Sequence, residues 1–152
     1  MASCFLDTSA LVKRYRREAG TAKVDELFDV AKTSLLVSRI GLVEVMSALA
    51  IKVRTGELNE DSYASAKHVF LGDLKARRIE VVRMLSTHWR RAEVLIERHG
   101  KTMPLRTLDA IQLAVALQLK EARRSDQLVT ADAALMAIAR EEGLDVLNPT
   151  IL

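Results

Sequence analysis

Residues 127–147 read QLVTADAALMAIAREEGLDVL. The short apolar run at 127–130 is typical of a buried strand, and 145–147 predicts a second short strand. Between them, residues 133–142 favour a helix that is stopped by Gly143. A strand, a helix and another strand in succession favour a parallel sheet with helices packed on it.

The rest of the chain repeats this alternation. Further strands are predicted at 3–6, 34–38 and 79–83. A first helix is predicted through Leu11, Val12 and Tyr15, and others at 21–31, 40–53, 60–77, from Ser86 to near Gly100, and at 108–122. Thr8 and Ser9 offer hydroxyls that could cap the first helix. The fold class predicted is α/β, with a parallel sheet of four to five strands covered by helices on both faces. No linker or repeat divides the chain, so residues 1–152 are interpreted as one domain.

Composition narrows the classes of protein. Of 152 residues, 49% are apolar but only 4% aromatic, which favours aliphatic helices on a sheet over a β-sandwich. Cys4 is the single cysteine, so an internal disulfide and a Cys/His zinc site are excluded. The longest apolar stretch, 40–51, contains Glu44 and is too short to span a bilayer. With no secretory signal visible, we expect a cytoplasmic protein without membrane contact.

The net charge of +3 and a pI of about 9.2 are compatible with a polyanionic partner such as RNA. Basic residues cluster at 13–17, 75–78, 90–91 and 123–124. Because most such clusters are simply solvated helix faces, this signal is weak on its own.

Four acidic residues differ from the others by lying in apolar surroundings: Asp7, Glu44, Asp109 and Asp132. A buried ionised carboxylate is costly unless it is paired, hydrogen-bonded or bound to metal. Asp7 and Asp132 follow predicted strands, and ligands gather at the carboxyl ends of parallel strands. Glu44 lies on an apolar helix stripe, and Asp109 lies in the first turn of its helix. Asp73 and Asp126 are set aside, the first for its polar surroundings and the second because it precedes its strand.

Each acid also has a simpler interpretation. Asp7 and Asp132 could cap the helices that follow them. Asp109 could be a first-turn acid favoured by the helix dipole. Glu44 could form a buried ion pair with Arg39, Lys52 or Arg106.

If the four acids meet, their repulsion requires a cation. Two carboxylates about 5 Å apart repel by about 3 kcal/mol at an effective dielectric of about 20. Mg²⁺ or Mn²⁺ suits such oxygen ligands, and can activate a water for in-line attack on a phosphodiester. No Ser-His-Asp or Cys-His pattern offers a competing mechanism.

The segments LDTSALV, VSRIGLVEVMSAL, LRTLDAIQLAVAL and LVTADAALMAIAREEGLDVLNP together resemble PIN-domain proteins, in particular VapC-type toxins. The resemblance implies a three-layer PIN-like fold with an acidic pocket formed by Asp7, Glu44, Asp109 and Asp132, supported by Thr8, Ser9 and Thr130. It further implies a Mg²⁺- or Mn²⁺-dependent endoribonuclease of a type II toxin–antitoxin system that acts on RNA, including tRNA. A homodimer silenced by a cognate antitoxin is the implied assembly.

Two other classes of protein fit the sequence less well. A haloacid dehalogenase-type phosphatase needs a second aspartate where Ser9 stands, and a response-regulator receiver needs a lysine after a late strand. The remaining alternative is a catalytically inactive PIN-like binding or regulatory module, which would not need a crowded set of carboxylates.

Overall fold

The computed structural model describes residues 2–151. Its strands are β1 (Ser3–Leu6), β2 (Ser34–Ser38), β3 (Glu80–Val82), β4 (Gln127–Val129) and β5 (Asp145–Leu147). Its helices are α1 (Thr8–Tyr15), α2 (Thr21–Asp29), α3 (Arg39–Arg54), α4 (Glu60–Lys75), α5 (Ser86–His99), α6 (Thr107–Glu121) and α7 (Ala133–Glu141).

The five strands form one parallel sheet in the order β3-β2-β1-β4-β5. β1 lies at the centre, and the chain moves outward from it in one direction through β2 and β3 and in the other through β4 and β5. The strand order therefore reverses between β1 and β4. In parallel α/β sheets a crevice forms at such a reversal, outside the carboxyl ends of the two strands.

Two apolar cores cover the two faces of this sheet, because successive strand residues point in opposite directions. Phe5 faces the core formed with α5, α6 and α7. Its neighbours Cys4 and Leu6 face the core formed with α1, α2, α3 and α4. This three-layer arrangement, with five parallel strands and seven helices in the described part of the chain, confirms the predicted fold class.

The predicted element boundaries lie within two residues of the observed ones. The cap of α1 is Asp7 and not Thr8 or Ser9, because its carboxylate reaches the free backbone N–H of Ala10. α4 ends at Lys75, and Arg77 then adopts a positive φ of 55° that ends the helical path. Between residues 2 and 151, no helix has both the length and the apolar character required to cross a membrane.

Candidate functional site

Asp7 lies at the reversal point of the sheet, directly after β1, and is only 4% exposed. Its Oδ1 accepts hydrogen bonds from the Ser9 hydroxyl at 2.7 Å and from the Ala10 backbone N–H at 3.0 Å. Its Oδ2 accepts from the Thr130 hydroxyl at 2.6 Å. The simpler prediction that Asp7 caps α1 is thus confirmed. Capping alone does not explain why this carboxylate is almost completely buried.

Burial raises the pKa of the Asp7 carboxyl from 3.8 to about 6, although the Thr130, Ser9 and Ala10 hydrogen bonds act in the opposite direction. Among residues 2–151, no arginine, lysine or histidine forms a salt bridge with it; the negative charge of Asp109 raises its pKa slightly further. Asp7 is therefore a buried carboxylate solvated only by neutral donors.

Asp132 follows β4, the neighbour of β1, and caps α7 through the Leu135 N–H at 2.9 Å from its Oδ1. Its own N–H donates to the Thr130 hydroxyl at 3.1 Å, and this hydroxyl is the group that donates to Asp7. Ser9 joins the same network by accepting from the Ala131 N–H at 2.9 Å. The carboxyl ends of β1 and β4 are thus tied together by two hydroxyl groups.

Glu44 is a partly buried residue of α3 that accepts a hydrogen bond from the Gln112 side-chain amide at 2.9 Å. Gln112, on α6, also accepts from the Ser38 hydroxyl at 2.8 Å and donates to the Thr8 hydroxyl at 3.4 Å. In the described chain Glu44 forms no salt bridge, so its interpretation as an ion pair with Arg39, Lys52 or Arg106 is not supported; Lys52 instead pairs with Glu18 and Glu57.

Asp109 lies in the first turn of α6, and its Oδ2 accepts from Nε of Arg106 at 3.1 Å. Nη2 of the same arginine lies 3.7 Å from Oδ2 of Asp132. The guanidinium therefore stands between two of the four predicted acids. Asp109 lies in the first turn of α6, as the helix-dipole interpretation expects, but it also has a charged side-chain partner in Arg106.

The donor chemistry of the four acids fits a hard divalent cation, since all four supply carboxylate oxygens. A positive group, Arg106, already lies against two of them. As the side chains stand, however, residues 2–151 contain no three His, Cys, Asp or Glu groups close enough together to hold one ion. The assignment of the four acids as metal ligands therefore stays a prediction.

Two residues of this region were not predicted as part of it. Gln112 is the one strongly polar side chain in the apolar run AIQLAVAL, and a 2% exposed amide there needs partners, so the signal was present. Arg106 was considered as a partner of Glu44, but the structure pairs it with Asp109 and Asp132. Its reach across to Asp132 depends on the tertiary fold and has no sequence signal.

Asp126 and Asp73 lie outside this region. Asp126 is exposed and precedes β4, at the opposite edge of the sheet from Asp7. Asp73 is buried beneath α1 and is bonded to Arg14, Tyr15 and Arg78. The prediction that Asp73 lies in polar surroundings is therefore wrong: it follows the buried Phe70 by three residues and lies on the same buried face of α4.

The family model for the PIN domain matches residues 4–141. No protein of curated function matches the sequence significantly. Among solved structures, the chain is similar to the Mycobacterium tuberculosis sarcin-ricin loop cleaving toxin VapC20, with a TM-score of 0.65, 15% identity and coverage of 93% of this chain and 95% of that one.

Two toxin–antitoxin complexes are also similar in fold. The Rickettsia felis VapBC2 structure, bound to a promoter DNA fragment, has a TM-score of 0.64 at 17% identity, with 96% of this chain and 98% of that one covered. A Klebsiella pneumoniae toxin–antitoxin complex has a TM-score of 0.63 at 17% identity, with 98% and 99% covered. The family match extends over most of the sequence: the chain belongs to the PIN-domain family.

Proposed function

We propose that this protein is a metal-dependent endoribonuclease and the toxin of a type II toxin–antitoxin system. One observation carries the proposal. A buried carboxylate, Asp7, lies at the reversal point of the sheet without a salt-bridge partner in residues 2–151, and hydrogen bonds connect its surroundings to the elements that carry the other acids. The PIN-domain match supports the same activity.

Asp7, Glu44, Asp109 and Asp132 would hold the Mg²⁺ or Mn²⁺ ion. When bound, such an ion would lower the pKa of a water molecule and stabilise the negative charge that develops on the phosphodiester. We do not expect all four carboxylates to be equivalent, because Asp7 is deeply buried whereas the side chains of Asp109 and Asp132 are 17% and 28% exposed.

The neighbouring residues would orient these ligands. Thr130 and Ser9 fix the two oxygens of Asp7, and Gln112 fixes Glu44 relative to β2 through Ser38. Such outer contacts commonly decide the affinity of a metal site. Exposed lysine and arginine side chains around the crevice would track the phosphates of an RNA substrate, such as tRNA.

The partners proposed are a cognate antitoxin and a second copy of the chain, in the cytoplasm. Support for the antitoxin comes from the structural neighbours, two of which are toxin–antitoxin complexes. The RNA substrate is proposed by analogy with the neighbour that is named as a sarcin-ricin loop cleaving toxin.

Replacing Asp7 with asparagine tests the enzyme assignment. Asn can still accept from Ala10 N–H and cap α1, so D7N is expected to keep the fold. Manganese-dependent cleavage of an RNA substrate should fall by at least about 100-fold, since even the loss of a residue that supports a metal ligand costs 10- to 100-fold. D126N is the matched control, because Asp126 is exposed at the opposite sheet edge. Undiminished cleavage by purified D7N would refute the assignment.

The alternative of a catalytically inactive binding module is favoured by one observation, the absence of three metal-ligand side chains in mutual reach within residues 2–151. Calorimetric titration with Mn²⁺ separates the two proposals. The nuclease should bind the ion with D7N weakening that binding, whereas the inactive module should bind none.

A further inference from the structure

Arg106 occupies an unusual place for an exposed arginine. It is the residue directly before α6, and its side chain is 78% exposed, yet it contacts two of the four predicted metal ligands. One contact, with Asp109, lies three residues along the same helix; the other, with Asp132, crosses to the start of α7. A single side chain therefore joins the N-terminal ends of two helices at the carboxyl edge of the sheet.

The charges around Arg106 favour this position. The Asp109 hydrogen bond, and the negative charges of Asp109, Asp132 and Glu44, hold the pKa of the guanidinium above its ordinary range. Asp132 uses its other oxygen to cap α7, so the oxygen that faces Arg106 is the one left for a cation. Asp109 likewise offers Oδ2 to the arginine.

These contacts are also easily broken. Ion pairs of well-exposed side chains contribute little stability, because water solvates both charges well and a long side chain loses freedom when it is held. Arg106 has no other hydrogen-bond or salt-bridge partner in the described residues that would fix its guanidinium in place. A divalent ion carries twice the charge and binds several carboxylates at once, so it can displace the arginine.

We propose that Arg106 is a built-in countercharge that competes with the divalent metal ion for Asp109 and Asp132. This inference rests on the proposed metal site. In the metal-free protein the arginine reduces the repulsion between the two carboxylates, and metal binding requires it to move away.

The test is calorimetric titration of the metal-stripped full chain with Mn²⁺, for the wild type, R106Q, R106K and R39Q. R39Q is the matched control: Arg39 is exposed, follows β2 at the same sheet edge, and forms no salt bridge in the described chain, so it removes the same charge without breaking these contacts. Removal of Arg106 should tighten Mn²⁺ binding by about three- to tenfold relative to R39Q, the effect of one or two exposed ion pairs.

R106K should lie between the wild type and R106Q, since lysine keeps the charge but lacks the planar fork that reaches two carboxylates. The rise in Tm on adding a fixed Mn²⁺ concentration should follow the same order and serves as a second readout.

If the wild type binds Mn²⁺ and R106Q binds it no more tightly than R39Q, the competition proposal is wrong while the proposed function stands. If neither the wild type nor R106Q binds Mn²⁺, the proposed metal site itself is wrong. Binding by R106Q alone would support the competition.

Discussion

Asp7 and Asp73 are buried to the same extent, each 4% exposed, but only Asp73 is paired with positively charged side chains. Asp73 accepts from Arg14 Nε and the Tyr15 hydroxyl at 2.9 Å, and from Arg78 Nη1 at 3.4 Å. Asp7 accepts hydrogen bonds only from two hydroxyl groups and one backbone N–H. One buried acid is therefore neutralised within the chain, and the other is left with its charge uncompensated by a direct partner in residues 2–151.

The surroundings of Asp73 form a structural network. Arg14 also pairs with Asp25 at 3.1 Å and stacks over the Phe28 ring at 4.1 Å, so α1, α2 and α4 are joined around one carboxylate. Burial first, and then the negative charge of Asp73, raise the pKa of the Tyr15 hydroxyl, which therefore stays a proton donor. The fold can therefore balance the charge of a buried acid with arginine side chains, as at Asp73. At the carboxyl end of β1, the partners of Asp7 are neutral.

The largest expected effect comes from breaking the paired acid. D73N should lower the free energy of unfolding by about 3 kcal/mol, because the largely buried guanidinium of Arg14 loses its buried partner and keeps only the more exposed Asp25. Urea denaturation measures the change. D25N is the matched control, since Asp25 contacts the same Arg14 but its side chain is 35% exposed, and it should cost at most about 1 kcal/mol. Mn²⁺ affinity should not change in either variant. A D73N loss no larger than that of D25N would remove the contrast between the two acids.

The unpaired acid should behave in the opposite way in metal-free protein. The Asp7 pKa is raised from 3.8 to about 6, so the folded state holds this proton more tightly than the unfolded state does. The wild type should therefore lose stability as pH rises from about 4 through 6, and a shift of about two pKa units corresponds to about 3 kcal/mol. D7N lacks this ionisation and should be more stable than the wild type at pH 8 by up to about that amount.

The same denaturation experiment, repeated across pH, supplies its own control. Below pH 4 the carboxyl is protonated in both states, and the stability difference between D7N and the wild type should shrink towards zero. A D7N protein that is less stable than the wild type at pH 8 would mean that the burial cost of Asp7 is compensated within the chain.

The smallest expected effect concerns the amide that joins α6 to Glu44. Q112L keeps the volume but removes the bonds to Glu44, Ser38 and Thr8, and should weaken Mn²⁺ binding by about 10- to 100-fold because Glu44 is no longer oriented. Stability should fall by about 1–2 kcal/mol. Q118L on the same helix is the control, since Gln118 borders a groove with Val82 and His88 and not Glu44. Equal Mn²⁺ affinity in Q112L and Q118L would show that Gln112 does not position the acid.

The sequence alone determined the fold class, since hydrophobic runs for strands alternate with helical segments from residue 3 to residue 147. The sequence also distinguished Asp7 from the other acids, because the apolar run that precedes it is visible in the local sequence pattern. Gln112 was within reach of the same reasoning, as a lone amide in an apolar helix. These features are local, so periodicity and the cost of buried polar groups are enough to find them.

Only the tertiary structure decided which charges meet. Arg106 and Asp132 directly precede α6 and α7 and are far apart in sequence, yet Nη2 of the arginine lies 3.7 Å from Oδ2 of the aspartate. Asp73 is buried because α1 packs over it. Pairing between distant side chains depends on strand order and helix packing, which place residues in three dimensions to within a few ångströms. The energy of a charge pair changes greatly when its separation changes by a few ångströms. The burial of apolar surface that selects the fold does not depend on such exact separations.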